Sequence, residues 1–169
     1  MNIFFLHVQP KKAAEMHCDQ HVNKMILESG QMLSTVHNVL NPEHNLCLYK
    51  TTHINHPCTK WAMQSWRNYI WLRDLLLMLG LEYMYRFGKP HKTYEVLRYP
   101  LYYPPETLVQ DTFTLPALAM PDEHKPKGDY ISQHQAVHSY RDFYLTKKES
   151  FKRGQPKWTK RQPPTWWKD

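Results

Sequence analysis

The sequence predicts an all-α protein: one compact domain of about four helices, with an extended amino-terminal lead-in and an irregular, basic, aromatic carboxy-terminal tail. Apolar residues recur at helical spacing over two long stretches that contain no proline. The length of 169 residues suits one domain, and a hydrophobic fraction of 41% is sufficient for a core. We therefore expect a single helical domain over residues 1–169, with the tail at residues 146–169.

The first half of the chain predicts a lead-in and two long helices. Asn2–Val8 is apolar enough for an extended segment or a short strand. Pro10 suits the first turn of a helix from Lys11 to about Leu40, and a second helix is expected from Thr59 to about Phe87, where Gly88 follows as a stop signal. The predicted core positions of the first helix are Ala14, Cys18, Val22, Met25, Met32, Leu33 and Val36.

The second half predicts shorter elements. A third helix is expected at His91–Tyr99 and a last one at about Ser132–Phe151. The prolines between Pro100 and Lys127 exclude a long regular element there, so a loop is expected, with one helical turn around Pro116–Ala119.

Most of the net charge belongs to the tail. The formal charge of the chain is +7, and residues 147–169 carry eight Lys/Arg against two acidic residues, which is 8 − 2 = +6. Such a concentrated positive field attracts polyanions, and the tail tryptophans suit stacking on bases. These features indicate nucleic acid or nucleotides as partners, whereas a merely solvated tail is the alternative.

Several protein classes are disfavoured by composition. Five glycines leave little room for a phosphate loop, and three cysteines are unlike a disulfide framework. The sequence has no basic-then-apolar signal segment and no apolar run of membrane-spanning length. We therefore expect a cytoplasmic protein (in the host cytoplasm if it is phage-encoded) without a cofactor.

A stripe of polar side chains follows one side of the first predicted helix. At 100° per residue, its members fall within about 40° of one line. They are His17, His21, Lys24, Glu28, Gln31 and Thr35. Paired histidines beside a carboxylate suit proton transfer near neutral pH, which favours a functional face. The alternative is a solvent-exposed face with an ordinary Lys24–Glu28 pair.

Two further interpretations concern histidines. His17 and His21 have metal-ligand spacing, and a site could be completed by His53, His56 and Cys58, which leaves a metal-dependent hydrolase as a third interpretation. Cys18, however, stands where the zinc motif His-Glu-x-x-His needs its glutamate, so no metal is predicted. The loop His53–Cys58 precedes the second predicted helix, whose first turn near Thr59 and Lys60 is a candidate phosphate contact.

The segment Asp19-Gln20-His21, followed seven residues later by Glu28, resembles the phage pyrimidine-dimer DNA glycosylases known as endonuclease V. The tail segment Pro163–Lys168 is similar to the Pro-Thr-Trp-Tyr-Lys close of that family. The chain also resembles uncharacterised small phage-type proteins that share His-Cys-Asp-x-His-Val and Asn-His-Pro-Cys. The match covers a minority of the chain.

This resemblance implies a compact all-α fold whose amino terminus is threaded towards the first two helices, and it implies a mechanism. An α-amine, which is partly neutral at cellular pH, attacks a sugar C1′ atom. Here that amine is expected to be Met1, because Asn2 is a poor context for removal of the methionine. Glu28 would assist proton transfer, and His21 would contact the phosphate or sugar. The family has arginines at the positions of Leu27 and Gln31, so specificity for pyrimidine dimers is not implied.

The sequence thus predicts an N-glycosylase and abasic-site lyase with Glu28, His21 and Met1 as catalytic residues. The alternative is a non-catalytic protein that binds nucleic acid or sequesters a nucleotide signal. Under either hypothesis, the predicted substrate or phosphate contacts are His17, Lys24, Gln31, His53, His56, Lys60, Lys160, Arg161, Trp166 and Trp167.

Overall fold

A computed structural model describes residues 1–146 and 155–167 of the chain. These residues form a compact all-α domain of six α-helices without a β-strand. The helices are α1 (Pro10–Met16), α2 (Asp19–Leu40), α3 (Pro57–Gln64), α4 (Trp66–Phe87), α5 (Lys92–Leu97) and α6 (Gln133–Leu145), with a 3₁₀ turn at Asp122–His124. None of the helices in this part of the chain is long and apolar enough to cross a membrane.

The fold is built around the pair α2 and α4, the two longest helices. Helix α1 packs on α4, α3 packs on both α2 and α4, and α5 lies against α2. All the core positions predicted for the first helix are buried. On α4, Gly80 allows a close approach, because a Cβ atom there would lie 2.1 Å from the Tyr94 ring of α5.

Each of the two long predicted helices is divided in two. The first breaks at His17-Cys18, where the backbone is extended at both residues. The N–H of Cys18 donates to the Tyr144 hydroxyl, and Arg86 donates to the His17 carbonyl, so side chains distant in sequence satisfy the backbone groups that the break releases.

The second break lies at Ser65, whose hydroxyl accepts a hydrogen bond from the N–H of Asn68 and so caps α4. Because serine is a strong helix-capping residue, this break had a local signal. The predicted end of the same helix is correct, since Gly88 follows Phe87 in the left-handed conformation with φ 69°.

The remaining elements agree in part with the sequence. The helix expected at His91–Tyr99 is α5, and the last predicted helix is α6, capped by Ser132 in a capping box with Gln135. Residues 147–151 of that prediction lie outside the described residues. The helical turn expected at Pro116–Ala119 is wrong, because that segment has no regular structure and the 3₁₀ turn comes later.

The described part of the tail, residues 155–167, has no regular structure, as expected, but it packs on the domain. Trp158 is buried, and its indole N–H donates to the Met16 carbonyl at the end of α1. The side chain of Asp19 accepts hydrogen bonds from both the N–H and the hydroxyl of Thr159. The described tail is therefore part of the fold and not a separate solvated arm.

Candidate active site at the amino terminus

The amino terminus of the chain lies against the carboxylate of Glu28. The α-amine of Met1 is 3.8 Å from Glu28 Oε2, and the backbone N–H of Asn2 donates to the same oxygen at 2.8 Å. The Met1 side chain is only 3% exposed, whereas the residue as a whole is half-buried. Most of its exposed surface therefore belongs to the main chain that carries the amine.

A second positive group approaches Glu28 from the preceding turn of α2. The Nζ atom of Lys24 lies 3.4 Å from Glu28 Oε1, and the Lys24 side chain is 63% exposed. The predicted pair is thus present, but it is not an ordinary surface pair, since the Glu28 side chain is only 11% exposed. One carboxylate is flanked by an amine at one oxygen and an ammonium at the other.

The beginning of α3 holds Met1 in place. His56 caps this helix, with Nδ1 accepting from the N–H of Cys58, and its ring also makes a hydrogen bond with the Met1 backbone. Burial, followed by the positive charge of the Met1 amine, lowers the pKa of His56, so the ring is neutral near pH 7. The Thr59 hydroxyl lies 4.0 Å from the Met1 sulfur.

Cys58 is the other potential nucleophile close to this amine. It is fully buried, and burial raises the pKa of its thiol to about 12. Since the thiolate is the reactive form, Cys58 is inert near neutral pH. The α-amine of Met1 is a better candidate.

The side chain of Asn2 fixes the path of the lead-in. Its Oδ1 accepts hydrogen bonds from the N–H groups of Ile3 and Phe4, and its Nδ2 donates to the carbonyl of Ala119 at 2.8 Å. The segment expected between Pro100 and Lys127 as a loop therefore reaches the lead-in beside Met1. The sequence prediction did not include Asn2, although an asparagine before an apolar run is a signal for this kind of local turn.

A strained residue follows this turn. Phe4 has φ 36°, a left-handed value that is rare for a residue with a bulky side chain, and it is buried. Such a conformation costs on the order of 1–3 kcal/mol and persists only when its surroundings impose it. The lead-in is consequently neither a strand nor uniformly extended.

His21 packs in an aromatic cluster under the lead-in. Its ring stacks on Phe4 with 4.8 Å between centroids and meets the edge of Tyr144 at 4.9 Å. The side chain lies on the same face of α2 as Glu28, two turns earlier, and the residue is 8% exposed. The structure thus places His21 beside the lead-in, and its contact with a sugar-phosphate stays a prediction.

His17 requires a correction. It lies in the break between α1 and α2, so it does not continue the polar stripe of α2. The residue is 0% exposed, and Nδ1 is 2.7 Å from the carbonyl oxygen of Ala13. Burial lowers its pKa to about 4. In this structure His17 is a neutral core residue without surface for a phosphate.

The other end of the stripe supports the loop before α3. Gln31 is half-buried, one turn after Glu28. The Thr35 hydroxyl exchanges hydrogen bonds with the backbone of Thr52, both at 3.0 Å. His53, which has φ 49°, and Lys60 are exposed on either side of the start of α3, so their predicted phosphate contacts are sterically possible.

The predicted tail contacts lie elsewhere on the domain. The Arg161 guanidinium binds both carboxylate oxygens of Glu82, which raises the pKa of Arg161, and the Lys160 ammonium donates to the Tyr85 carbonyl. The charge of Arg161 is therefore engaged with α4, and the prediction that it serves as a phosphate contact is not supported by its geometry. Further tail cations lie outside the described residues: Lys147, Lys148, Lys152, Arg153 and Lys168.

Trp166 and Trp167 pack on the Tyr144 ring, with centroid distances of 5.9 and 6.0 Å. Both are half-buried. Because Tyr144 also touches His21, the two tryptophans belong to the aromatic cluster beneath the lead-in. They are partly available for stacking.

A search for metal-binding clusters and the comparisons with known proteins both give negative results. Within the described ranges, no three His, Cys, Asp or Glu side chains come together as a possible metal site. Comparison with protein-family models, with curated proteins and with solved structures finds no match to this chain. The resemblance to the pyrimidine-dimer glycosylases therefore depends on its motif residues alone.

Proposed function

We propose that this chain is an N-glycosylase and abasic-site lyase that acts on a damaged or modified nucleotide in DNA. The supporting observation is the contact of 3.8 Å between the Met1 amine and Glu28 Oε2. The main chain of Met1 is exposed there, while its side chain is buried. A fixed, accessible amine beside a carboxylate is the arrangement that covalent catalysis at a sugar C1′ atom needs.

The proposed reaction begins with the neutral amine of Met1. Its lone pair forms a bond to C1′ while the bond from C1′ to the base nitrogen breaks, and the base leaves with that electron pair and takes up a proton. The amine gives a proton to Glu28, which lies within reach. Opening of the sugar ring then breaks the bond from C1′ to O4′, protonates O4′ and leaves an iminium between Met1 and the DNA.

The neighbours of Glu28 suit this role. The hydrogen bond from the Asn2 N–H fixes Oε2 next to the amine, so proton transfer requires little rearrangement. The carboxylate also stabilises positive charge that develops on the sugar and on the iminium. Lys24, exposed at the edge of the site, is suited to contact a phosphate of the bound strand.

Substrate specificity is proposed only at the level of the glycosidic bond. The positions where the resembling family carries arginines hold an exposed Leu27 and a half-buried Gln31. Neither side chain offers a positive charge to the phosphates around a lesion. We therefore propose a modified or damaged nucleotide, and not specifically a pyrimidine dimer.

Trapping with borohydride tests the proposal, because hydride reduces the iminium to a stable amine. Wild-type protein incubated with duplex DNA containing an abasic site should give a covalent adduct, and peptide mass analysis should locate it on the amine of Met1. Glu28→Gln should lose the adduct, whereas Glu43→Gln, an exposed control, should retain it. Absence of any adduct, or its location on a lysine, would contradict the proposal.

A non-catalytic nucleotide-binding protein is the second candidate, favoured by the exposed Lys24 ammonium beside the exposed main chain of Met1. A carboxylate in an anion site weakens binding. Under this alternative, Glu28→Gln should bind DNA or nucleotide more tightly than wild type, and neither protein should release a base from any modified oligonucleotide.

A further inference from the structure

A concave surface lies on α6, next to Trp166 of the aromatic cluster. This surface, the α6 groove, encloses about 400 Å³ between α6 and the tail. It is lined by His134, Val137, His138, Arg141, Asp142, Leu145 and Trp166. Each of the six α6 residues has another member of the set three or four positions away, so they form one continuous face of the helix.

The basic groups that line the α6 groove are Arg141 and two histidines, His134 and His138. His7 of the lead-in lies close to the groove, and burial, then Lys12, Arg141 and His134, lower the pKa of His7, as expected where basic groups gather. The carboxylate at the margin belongs to Asp142, and its Oδ2 is 2.5 Å from Nδ1 of His124. Asp142 is thereby directed towards the Asp122–His124 turn.

Arg141 is held in a fixed orientation beside an aromatic ring. Its Nε donates to the Leu6 carbonyl at 3.0 Å, and its guanidinium carbon lies 5.4 Å from the centre of the Trp166 ring. The bond at Nε leaves the terminal nitrogens as donors, one of which lies 3.7 Å from the weak acceptor sulfur of Met16. A guanidinium held over one face of an indole can bind a phosphate through its terminal nitrogens, while the rest of the indole stays available to a planar ring.

The indole Nε1 of Trp166 adds a second indication. This atom is buried and has no hydrogen-bond partner within the part of the chain that the structure describes. A buried N–H without an acceptor is unfavourable, because it has lost its hydrogen bonds to water without replacement. An oxygen acceptor brought by a ligand would remove that cost after a small movement of the ring.

We propose that the α6 groove binds one nucleotide unit, with its phosphate held by Arg141, His134 and His138 and its base stacked against Trp166. The enclosed volume is at the small end of ligand sites, which suits one nucleotide and not several. The bond from Arg141 to Leu6 places the groove against the lead-in that carries Met1. The source of the nucleotide is therefore a strand that also reaches Met1, and this choice of source rests on the proposed function.

Fluorescence anisotropy with a labelled single-stranded oligonucleotide tests the groove, and calorimetry with thymidine monophosphate, thymidine and inorganic phosphate identifies the chemistry it recognises. Because His134 and His138 are exposed, the double variant His134→Glu/His138→Glu should fold normally. We expect it to bind the oligonucleotide at least about tenfold more weakly, since two hydrogen-bonding side chains are replaced by carboxylates that repel the phosphate. Lys92→Glu, an exposed control on α5, should remain within about twofold of wild type.

Replacement of the ring gives a second test. Trp166→Leu should weaken binding of the oligonucleotide, whereas Trp166→Phe should retain most of it, because phenylalanine still stacks. Wild-type protein that binds thymidine monophosphate as tightly as the oligonucleotide would overturn the strand as the source. Unchanged oligonucleotide affinity in the double variant, with Lys92→Glu also unchanged, would overturn the groove itself.

The covalent assay separates this inference from the proposed function. If the groove binds DNA, the double variant should need more abasic DNA for half-maximal adduct but should reach the wild-type yield at saturation. If the chemistry at Met1 is absent, no protein gives an adduct, yet the anisotropy difference between wild type and the double variant remains. If the groove is inert, both the adduct and the affinity are unaffected by the double variant.

Discussion

The backbone N–H of Asn2 donates to Glu28 Oε2 over 2.8 Å, and this bond joins the second residue of the chain to the middle of α2. The Asn2 side chain accepts from two further backbone N–H groups, those of Ile3 and Phe4. Since the α-amine is one residue away, its position beside Glu28 depends on the turn that Asn2 makes. Asn2 is therefore a positioning residue in the proposed mechanism.

Replacing this side chain should reduce both stability and adduct formation. We expect Asn2→Leu to lower the free energy of unfolding by about 1–3 kcal/mol, because two buried N–H groups lose their acceptor. Asn2→Asp keeps that acceptor, so its free energy of unfolding should fall by less. Urea unfolding measures the stability, and borohydride trapping at saturating DNA measures the chemistry. Asn2→Leu with wild-type stability and adduct yield would show that the turn does not depend on this side chain.

A second prediction concerns the segment that reaches the lead-in at Ala119. The Tyr140 hydroxyl donates to the Ala117 carbonyl at 2.5 Å and accepts from the Ala119 N–H at 3.3 Å. Tyr140→Phe should therefore lower the free energy of unfolding by about 1–3 kcal/mol and speed hydrogen exchange at the Ala119 amide.

Tyr130→Phe is the matched control for this change. Its hydroxyl donates to the Pro116 carbonyl at 2.8 Å, but Tyr130 is only half-buried and contacts one backbone group here. Its effect on exchange at Ala119 should be small. Equal exchange rates at Ala119 in Tyr140→Phe and wild type would contradict a role for Tyr140 in fixing this segment.

The sequence was sufficient to predict the helical class, the core face of the first helix, the carboxy-terminal end of α4 and the start of α6, because each of these follows from local periodicity and capping. It was not sufficient for the break at His17-Cys18. The groups that stabilise this break are Arg86 and Tyr144, which lie far away in the sequence. No local pattern reports such partners, so one continuous helix was the expected result.

The candidate site was predictable to a similar extent. The spacing from His21 to Glu28, together with the resemblance, indicated an amine near Glu28, and the structure places Met1 there. The expectation for His17 is wrong, because its side chain is buried in the core. The expectation for Arg161 stays a prediction, although its guanidinium is paired with Glu82. Charge and periodicity indicate whether a residue is polar and which helix face it occupies, but they do not indicate which group its side chain binds in the folded protein.

Arg161 leads to a third prediction. It binds both oxygens of Glu82, which is 5% exposed, so its main effect should be on stability. We expect Arg161→Gln to lower the free energy of unfolding by about 1–2 kcal/mol while the salt dependence of DNA binding stays as in wild type. Lys157→Gln removes one exposed tail charge and should leave stability unchanged. A reduced salt dependence in Arg161→Gln would restore this residue as a phosphate contact.

The fourth prediction concerns acid stability and begins from the burial of His17. Burial lowers its pKa from the ordinary value of 6.5 to about 4, with the Arg86 charge acting in the same direction and the hydrogen bond to Ala13 opposing it. The folded protein therefore holds the ring neutral at pH values where the unfolded chain is protonated. Unfolding takes up a proton between pH 6.5 and 4, and the stabilisation present above pH 6.5 is lost as the pH falls through this interval. His37, with a pKa lowered to about 4, acts in the same sense.

The change of unfolding free energy with pH should thus be steeper in wild type than in His17→Gln, by up to about 1.4 kcal/mol per pH unit for one proton. Glutamine can still donate to the Ala13 carbonyl, but it does not titrate. His138→Gln, at an exposed position on α6, should keep the wild-type slope. Urea unfolding at several pH values from 7 to 4 measures these slopes. Parallel plots of unfolding free energy against pH for wild type and His17→Gln would mean that His17 binds its proton equally well in the folded and unfolded states. That result would contradict a buried His17 ring that stays neutral in the folded protein.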